Sequence, residues 1–280
     1  MQSRNEADPA RVEALLTLLQ DEDLKVASLA MEQFLNLGQV TEKTIAEFQE
    51  AQDPRLRCRI HQLSTILQRR NARKEFIDGI RQERISLWDG ILQVTALYDP
   101  LAQLEPVHKG IAEMVRLLQS TEITTPRIAA LMRDQEFTVP EEDILDVELF
   151  LVDQVFETRY GSAPLLCALA QHLAAQVEWS LTTVLHMGRF CLIDRDHLLL
   201  DPVEGWHISK LGGDDKIHPC GRRDVLLDVL LQLFLIALVE GHLRDLYHFG
   251  DLLTALNGFT VEDLPFPLGR EKPPVSEPAG

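Results

Sequence analysis

The stretch LTTVLHMGRFCLIDRDHLLLDP, residues 181–202, decides the fold, because β-type sequence first appears there. Three short runs, 181–187, 189–194 and 197–202, are β-rich or apolar, parted by Gly188 and by a tight charged turn. They predict a small antiparallel sheet. Ahead of it lies a predicted helix from about Ser162 to Val177, and before that another from Leu145 to about Arg159, ending at Gly161.

Further upstream the pattern is helical. Asp8 and Pro9 open a helix with Val12, Leu15, Leu16 and Leu19 on one side; the acidic run at 21–23 opens a second that buries Val26, Ala30, Phe34 and Leu37 and stops at Gly38. Asp53 and Pro54 repeat the start thirty residues after Asp23, leading Leu56, Ile60, Leu63 and Leu67 onto one face. Such paired helices look like HEAT-type repeats. Two more helices are predicted over 88–118, broken at Tyr98 to Pro100, and the proline-bearing acidic turn FTVPEED (137–143) marks a boundary near residue 138. Downstream, 222–256 reads as two helices separated by Gly241, a TPR-like hairpin, and the end holds five of the fourteen prolines. The expected organisation is a helical lead-in over 1–86, a helical connection over 87–137, an α+β core over 138–215, a helical hairpin over 216–256 and a disordered tail over 257–280. The fold class is α+β, predominantly α-helical.

Composition narrows the function. With 280 residues and 45% apolar content the chain can bury a sizeable core. A net charge of −17 repels a phosphate backbone, so nucleic acid is not expected as a partner. Between Arg55 and Arg84, nine Lys or Arg stand against three acids, which reads as a solvated face or, alternatively, as a dock for an acidic partner. The most apolar segment, 225–239, is too short for a membrane span and carries Asp228 and Gln232, so it reads as a buried helix. No secretion signal is evident at the N-terminus, and a cytoplasmic setting is expected. Cys58, Cys167, Cys191 and Cys220 form no CxxC pair, which argues for reduced thiols. His207, His218 and Cys220, in what reads as a linker, and His242 with His248 match no closed zinc spacing; no Walker, GxGxxG or HExxH motif occurs. Neither metal nor cofactor is expected.

Four segments carry a resemblance. DILD (143–146), VFETRYGSAPLL (155–166), VLHMGRFCL (184–192) and LLLDP (198–202) stand, in order, where the bacterial Sir-B-type branch of the transglutaminase-like family reads DYYD, VLERRRGIPISL, VGLPGHFLV and LFIDP. The lead-in WDGILQVTALYDP (88–100) is similar to the segment that precedes the core in such proteins. The resemblance implies a core in which a Cys at a helix N-terminus, a His on the neighbouring strand and an Asp on the next one cooperate.

Position by position, the resemblance implies loss of that chemistry. The nucleophile position falls on Ala163, which cannot attack, although this branch commonly shows Pro there. The His position falls on Arg189, which stays protonated and cannot act as a general base. Asp201 is preserved, but Asp-Pro also ends strands for local reasons. Ser162 and Cys167 are the nearest substitute nucleophiles; Ser162 reads as a helix-start residue and Cys167 as a buried structural thiol. His186, upstream of Arg189, is expected to face the other side of its strand, and His172 to be a half-buried helix residue. Arg189 and Asp201 are expected to form an ion pair. The leading expectation is a non-catalytic interaction or scaffold protein with an unidentified protein partner. The alternatives are a cysteine- or serine-dependent hydrolase or acyltransferase, and a residual groove in which Arg189 holds a carboxylate.

Overall fold

The computed structural model describes residues 9–37, 39–141, 146–212, 215–258 and 260–264. Asp8, Gly38 and the tail over 265–280 lie outside the described residues, as do parts of the 143–146 and 211–215 segments. Among the described residues there are eleven α-helices and five strands. The chain divides into two compact units, Met1–Glu75 and Phe76–Gly280.

In the first unit, α1 (Pro9–Leu19) and α2 (Leu24–Leu35) pack on each other, followed by α3 (Gln39–Phe48) and the start of α4 (Pro54–Arg81). The two acidic starts work as caps: an Asp23 carboxylate oxygen accepts from Lys25 N at 2.8 Å, and one of Asp53 accepts from Arg55 N at 2.8 Å. Leu15, Leu19, Ala30, Phe34, Ile45, Leu56, Ile60 and Leu63 close the core. The α2 stripe buries Ala27 rather than Val26, and the helix ends at Leu35. Not all of the basic run is solvated. Arg59 is buried, and its guanidinium donates to the free carbonyls of Leu19 and Asp21, closing the end of α1.

The second unit is built around α9 (Ala163–Gln176), nine of whose fourteen residues are buried. Around it stand α5 (Leu87–Tyr98), α6 (Leu104–Gln119), α7 (Thr125–Asp134) and α10 (Arg222–Glu240). Ser86 Oγ caps α5 by accepting from Asp89 N at 3.0 Å, and Thr124 caps α7. An added Cβ at Gly90 would lie 2.6 Å from a Leu226 methyl, so glycine lets α5 and α10 approach closely. Then α11 (Leu243–Asn257) folds back on α10 after Gly241, whose φ of +73° forms the helix C-cap. One face of α10 is buried, while Leu231, Leu235 and Val239 are exposed, so it is amphipathic rather than wholly buried.

The single helix expected over 145–159 is broken. A 3-10 turn, Val147–Phe150, leads through extended Leu151 into α8 (Val152–Thr158), and Arg159 turns left-handed at φ +67°. The amide of Ser162 then bonds Leu149 O at 2.8 Å, a tie that a continuous helix would not leave free.

The sheet has five strands, two more than the sequence suggested. β1 (Thr182–His186), β2 (Arg189–Ile193), β3 (Leu198–Asp201) and β4 (His207–Lys210) form successive antiparallel hairpins. β5 (Ile217–Pro219) returns beside β1, giving the order β4-β3-β2-β1-β5. His207 and His218 are thus strand residues, not linker ones. Side chains alternate across the sheet. Phe190, Leu192, Leu200 and Ile208 face the core that holds α9, whereas Val184, Cys191, Ile193 and Leu199 form a separate apolar cluster with Leu211 and Ile217.

Candidate functional site

Gly161 and Ser162 lead into α9. Ser162 sits at the N-cap position, as expected of a helix start, but its hydroxyl caps nothing. It is 8% exposed, and its Oγ has no hydrogen-bond partner among the described residues. Ala163 follows, with no group that can react. Cys167, one turn on, is fully buried, and burial pushes its thiol well up, so it stays protonated. His172 is farther along the helix, stacked on Trp88 at 5.4 Å, and burial lowers its pKa.

Across the sheet, Arg189 Nη1 lies 2.7 Å from Glu204 Oε1 and 3.8 Å from Asp201 Oδ2. The hydrogen bond to Glu204, then the charge of Asp201, push the guanidinium further up and hold it cationic. Asp201 Oδ1 accepts from the amides of Val203 at 2.9 Å and Glu204 at 3.4 Å, which shapes the β3–β4 turn. The carboxylate therefore has a structural task on one oxygen and an ion pair on the other.

Cys191 is the residue that sequence reasoning passed over. It is two positions from Arg189 and therefore on the same face, where the charges of Asp201 and Arg189 both act on its thiol. Burial first, and then the Asp201 charge, raise it to about 12, against a smaller opposing effect of Arg189. It is no nucleophile at neutral pH. Glu204 was missed as well, since a turn residue gives no periodic signal. Alternation along β2 could have found Cys191.

His186 needs a correction. It does not precede Arg189 on one strand: Met187 and Gly188, at φ +50° and +79°, turn the chain, and His186 pairs directly with Arg189 across the hairpin. Directly paired residues share a face, so His186 stands on the same side as Arg189. His207 pairs with Asp201 in the same way from β4.

The face carrying His186, Arg189, Cys191, Asp201 and His207 is opposite to the one α9 covers. Gln171 of α9 accepts from Thr183 Oγ1 at 3.2 Å, and Thr183 pairs with Leu192, which marks the covered face. The structure thus brings Arg189 and Asp201 together, as expected, on the sheet face opposite to the one that α9 covers, while Cys191 and Asp201 remain near enough to add to the upward shift of the Cys167 thiol. No group of three His, Cys, Asp or Glu among the described residues could hold a metal ion.

Two clefts open on this unit. One, of about 390 Å³, is lined by Trp88, Gln171, His172, Cys220 and Arg222, among others. Burial raises the Cys220 thiol, and the Arg222 guanidinium is occupied by the carbonyls of Glu83 and Ile85. The second cleft, of about 440 Å³, lies beside the approach to α9 and is lined by residues that include Arg133, Phe137, Arg159, Tyr160 and Trp206. Trp206 Nε1 donates to Phe137 O at 2.7 Å, anchoring its wall.

Among the described residues no helix is long and apolar enough to cross a membrane. Neither the curated proteins nor the solved structures contain a match to this chain. Residues 101–217 match the model of the family described as the Transglutaminase-like superfamily, a span that runs from just before α6 to the first residue of β5. Helix α9 and strands β1 to β4, the third of which ends in Asp201, lie inside that span, and the similarity to a transglutaminase-like core therefore extends over residues 101–217.

Proposed function

We propose that this protein is a non-catalytic member of the Sir-B-type branch of the transglutaminase-like family, acting in the cytoplasm as a protein-interaction or scaffold protein. The single observation that carries this reading is the engagement of Arg189 by Glu204 and Asp201, with Nη1 at 2.7 and 3.8 Å. A guanidinium so held cannot take a proton from a nucleophile. The protonated, buried thiols of Cys167 and Cys191 support the same reading.

Helical surfaces supply places to bind. The HEAT-like lead-in exposes Leu24 and Leu29, and the TPR-like hairpin of α10 and α11 exposes Val239, Leu243 and Tyr247. Free cysteines throughout fit a reducing compartment. A second reading, a serine-dependent acyl transferase, draws on one feature, the buried and unbonded Oγ of Ser162 at the start of α9.

Assays of the full chain for amine incorporation into a glutamine donor and for peptide and ester hydrolysis separate the two. The non-catalytic reading expects no turnover above buffer. Turnover that disappears in Ser162→Ala would overturn it.

A further inference from the structure

The cleft beside the approach to α9 is cationic in a chain of net charge −17. Arg133, at the end of α7, and Arg159, after α8, both line it, and neither has a carboxylate partner among the described residues. Arg133 Nη1 donates to Trp206 O at 3.2 Å, which fixes the side chain while leaving its other N–H groups uncommitted by that bond. Arg159 lies over the ring of Phe137, 4.7 Å from its centroid, which fixes the second guanidinium without neutralising it. Thr138, Thr158 and the half-exposed Tyr160 add hydroxyls to the lining, and Glu136 is its one acid.

The backbone around this cleft is unusual. Glu136, Arg159, Gly205 and Trp206 all have φ between +61° and +67°. Non-glycine residues persist in that region only where their surroundings impose it, and such positions concentrate at ligand sites. Here the surroundings are explicit: Thr138 exchanges backbone bonds with Arg159 and Gly161, and Trp206 is anchored to Phe137 O. The two guanidiniums are thereby held on rigid supports.

We propose that Arg133 and Arg159 bind a carboxylate carried on a peptide segment of a partner protein. Two guanidiniums lining one cleft can each donate to a carboxylate oxygen, and Tyr160 adds an exposed ring and hydroxyl to the same lining. Arg189, already held by Glu204 and Asp201, leaves this task to the other two arginines. The site refines the interaction reading by naming a partner chemistry, and it rests on that reading only in requiring binding. The acyl-transfer assays and the binding assay below can therefore fail independently.

Calorimetric titration of the full chain with a capped diglutamyl peptide, its diglutaminyl counterpart and free glutarate tests this. The expected result is saturable binding of the diglutamyl peptide alone, weakened about tenfold or more by Arg133→Gln and by Arg159→Gln. Glu136→Gln, which removes the competing acid, is expected to tighten binding by about threefold; this gain of affinity guards against misfolding of the arginine variants. Equal affinity for the diglutaminyl peptide, glutarate binding as tight as the peptide's, affinity unchanged in both arginine variants, or no saturable binding would each overturn the proposal.

Discussion

Arg189 Nη1 stands 3.8 Å from Asp201 Oδ2, joining the first residue of β2 to the last of β3. Where the family pattern would set a histidine beside this aspartate, a guanidinium held cationic stands instead. The pair ties two neighbouring strands, and Glu204 completes it from the turn that follows. Both side chains point away from the sheet face that α9 covers, so the separation from Ala163 is a matter of strand alternation as well as of residue identity.

That separation predicts a failed repair. In an Ala163→Cys variant, adding Arg189→His should leave the rate of alkylation at position 163 unchanged within about twofold, because the imidazole would lie across the sheet from the thiol. The measurement is the second-order rate with iodoacetamide against pH. A gain of about a hundredfold with a new acidic limb would show that the two positions meet.

His172 predicts a loss of stability in acid. Burial against Trp88 lowers its folded pKa below the ordinary 6.5, so the unfolded chain binds more protons than the folded one in that window. Stability from this group is therefore complete above 6.5 and is lost as pH falls through the lowered folded value. Urea melts across this range should slope less steeply for His172→Phe, which keeps the stack with Trp88 but does not titrate. An identical slope in both proteins would rule the effect out.

Met187 predicts a gain. It holds φ +50° in the β1–β2 turn with its side chain 87% exposed, so it takes the strain of a left-handed turn position without burial in return. Met187→Asn should stabilise the protein by about 0.5–1 kcal/mol, because asparagine tolerates that conformation. A chemical melt measures it, and an unchanged or lower midpoint would count against the turn geometry.

Much of this architecture is legible in the sequence, for identifiable reasons. Asp23 and Asp53 announce helix starts because a carboxylate can accept free amides, and 181–202 announces hairpins through its apolar runs and Gly188. The edge strands are not legible. His207–Lys210 is polar and mostly uncovered, and Ile217–Pro219 has three residues and a proline, so neither shows alternation. Helix α7 is absent from the expected elements although Thr124 and Pro126 carry the same capping signal as the Asp23 and Asp53 starts. At the site, the Arg189–Asp201 pairing follows from the resemblance. The facing of His186 does not, because Met187 and Gly188 reverse the chain and replace alternation by cross-strand pairing. The cationic cleft was illegible, since Arg133, Arg159 and Trp206 meet only through tertiary structure.

The most direct test of a core without a nucleophile is mass-spectrometric mapping of adducts on the full native chain near neutral pH, using iodoacetamide for thiols and a fluorophosphonate for serines. Exposed Cys58 should label first and partly covered Cys220 more slowly, while Cys167, Cys191 and Ser162 remain unmodified until the chain is unfolded. An adduct at Cys167 or Ser162 that forms faster than the one at Cys58 would contradict the account.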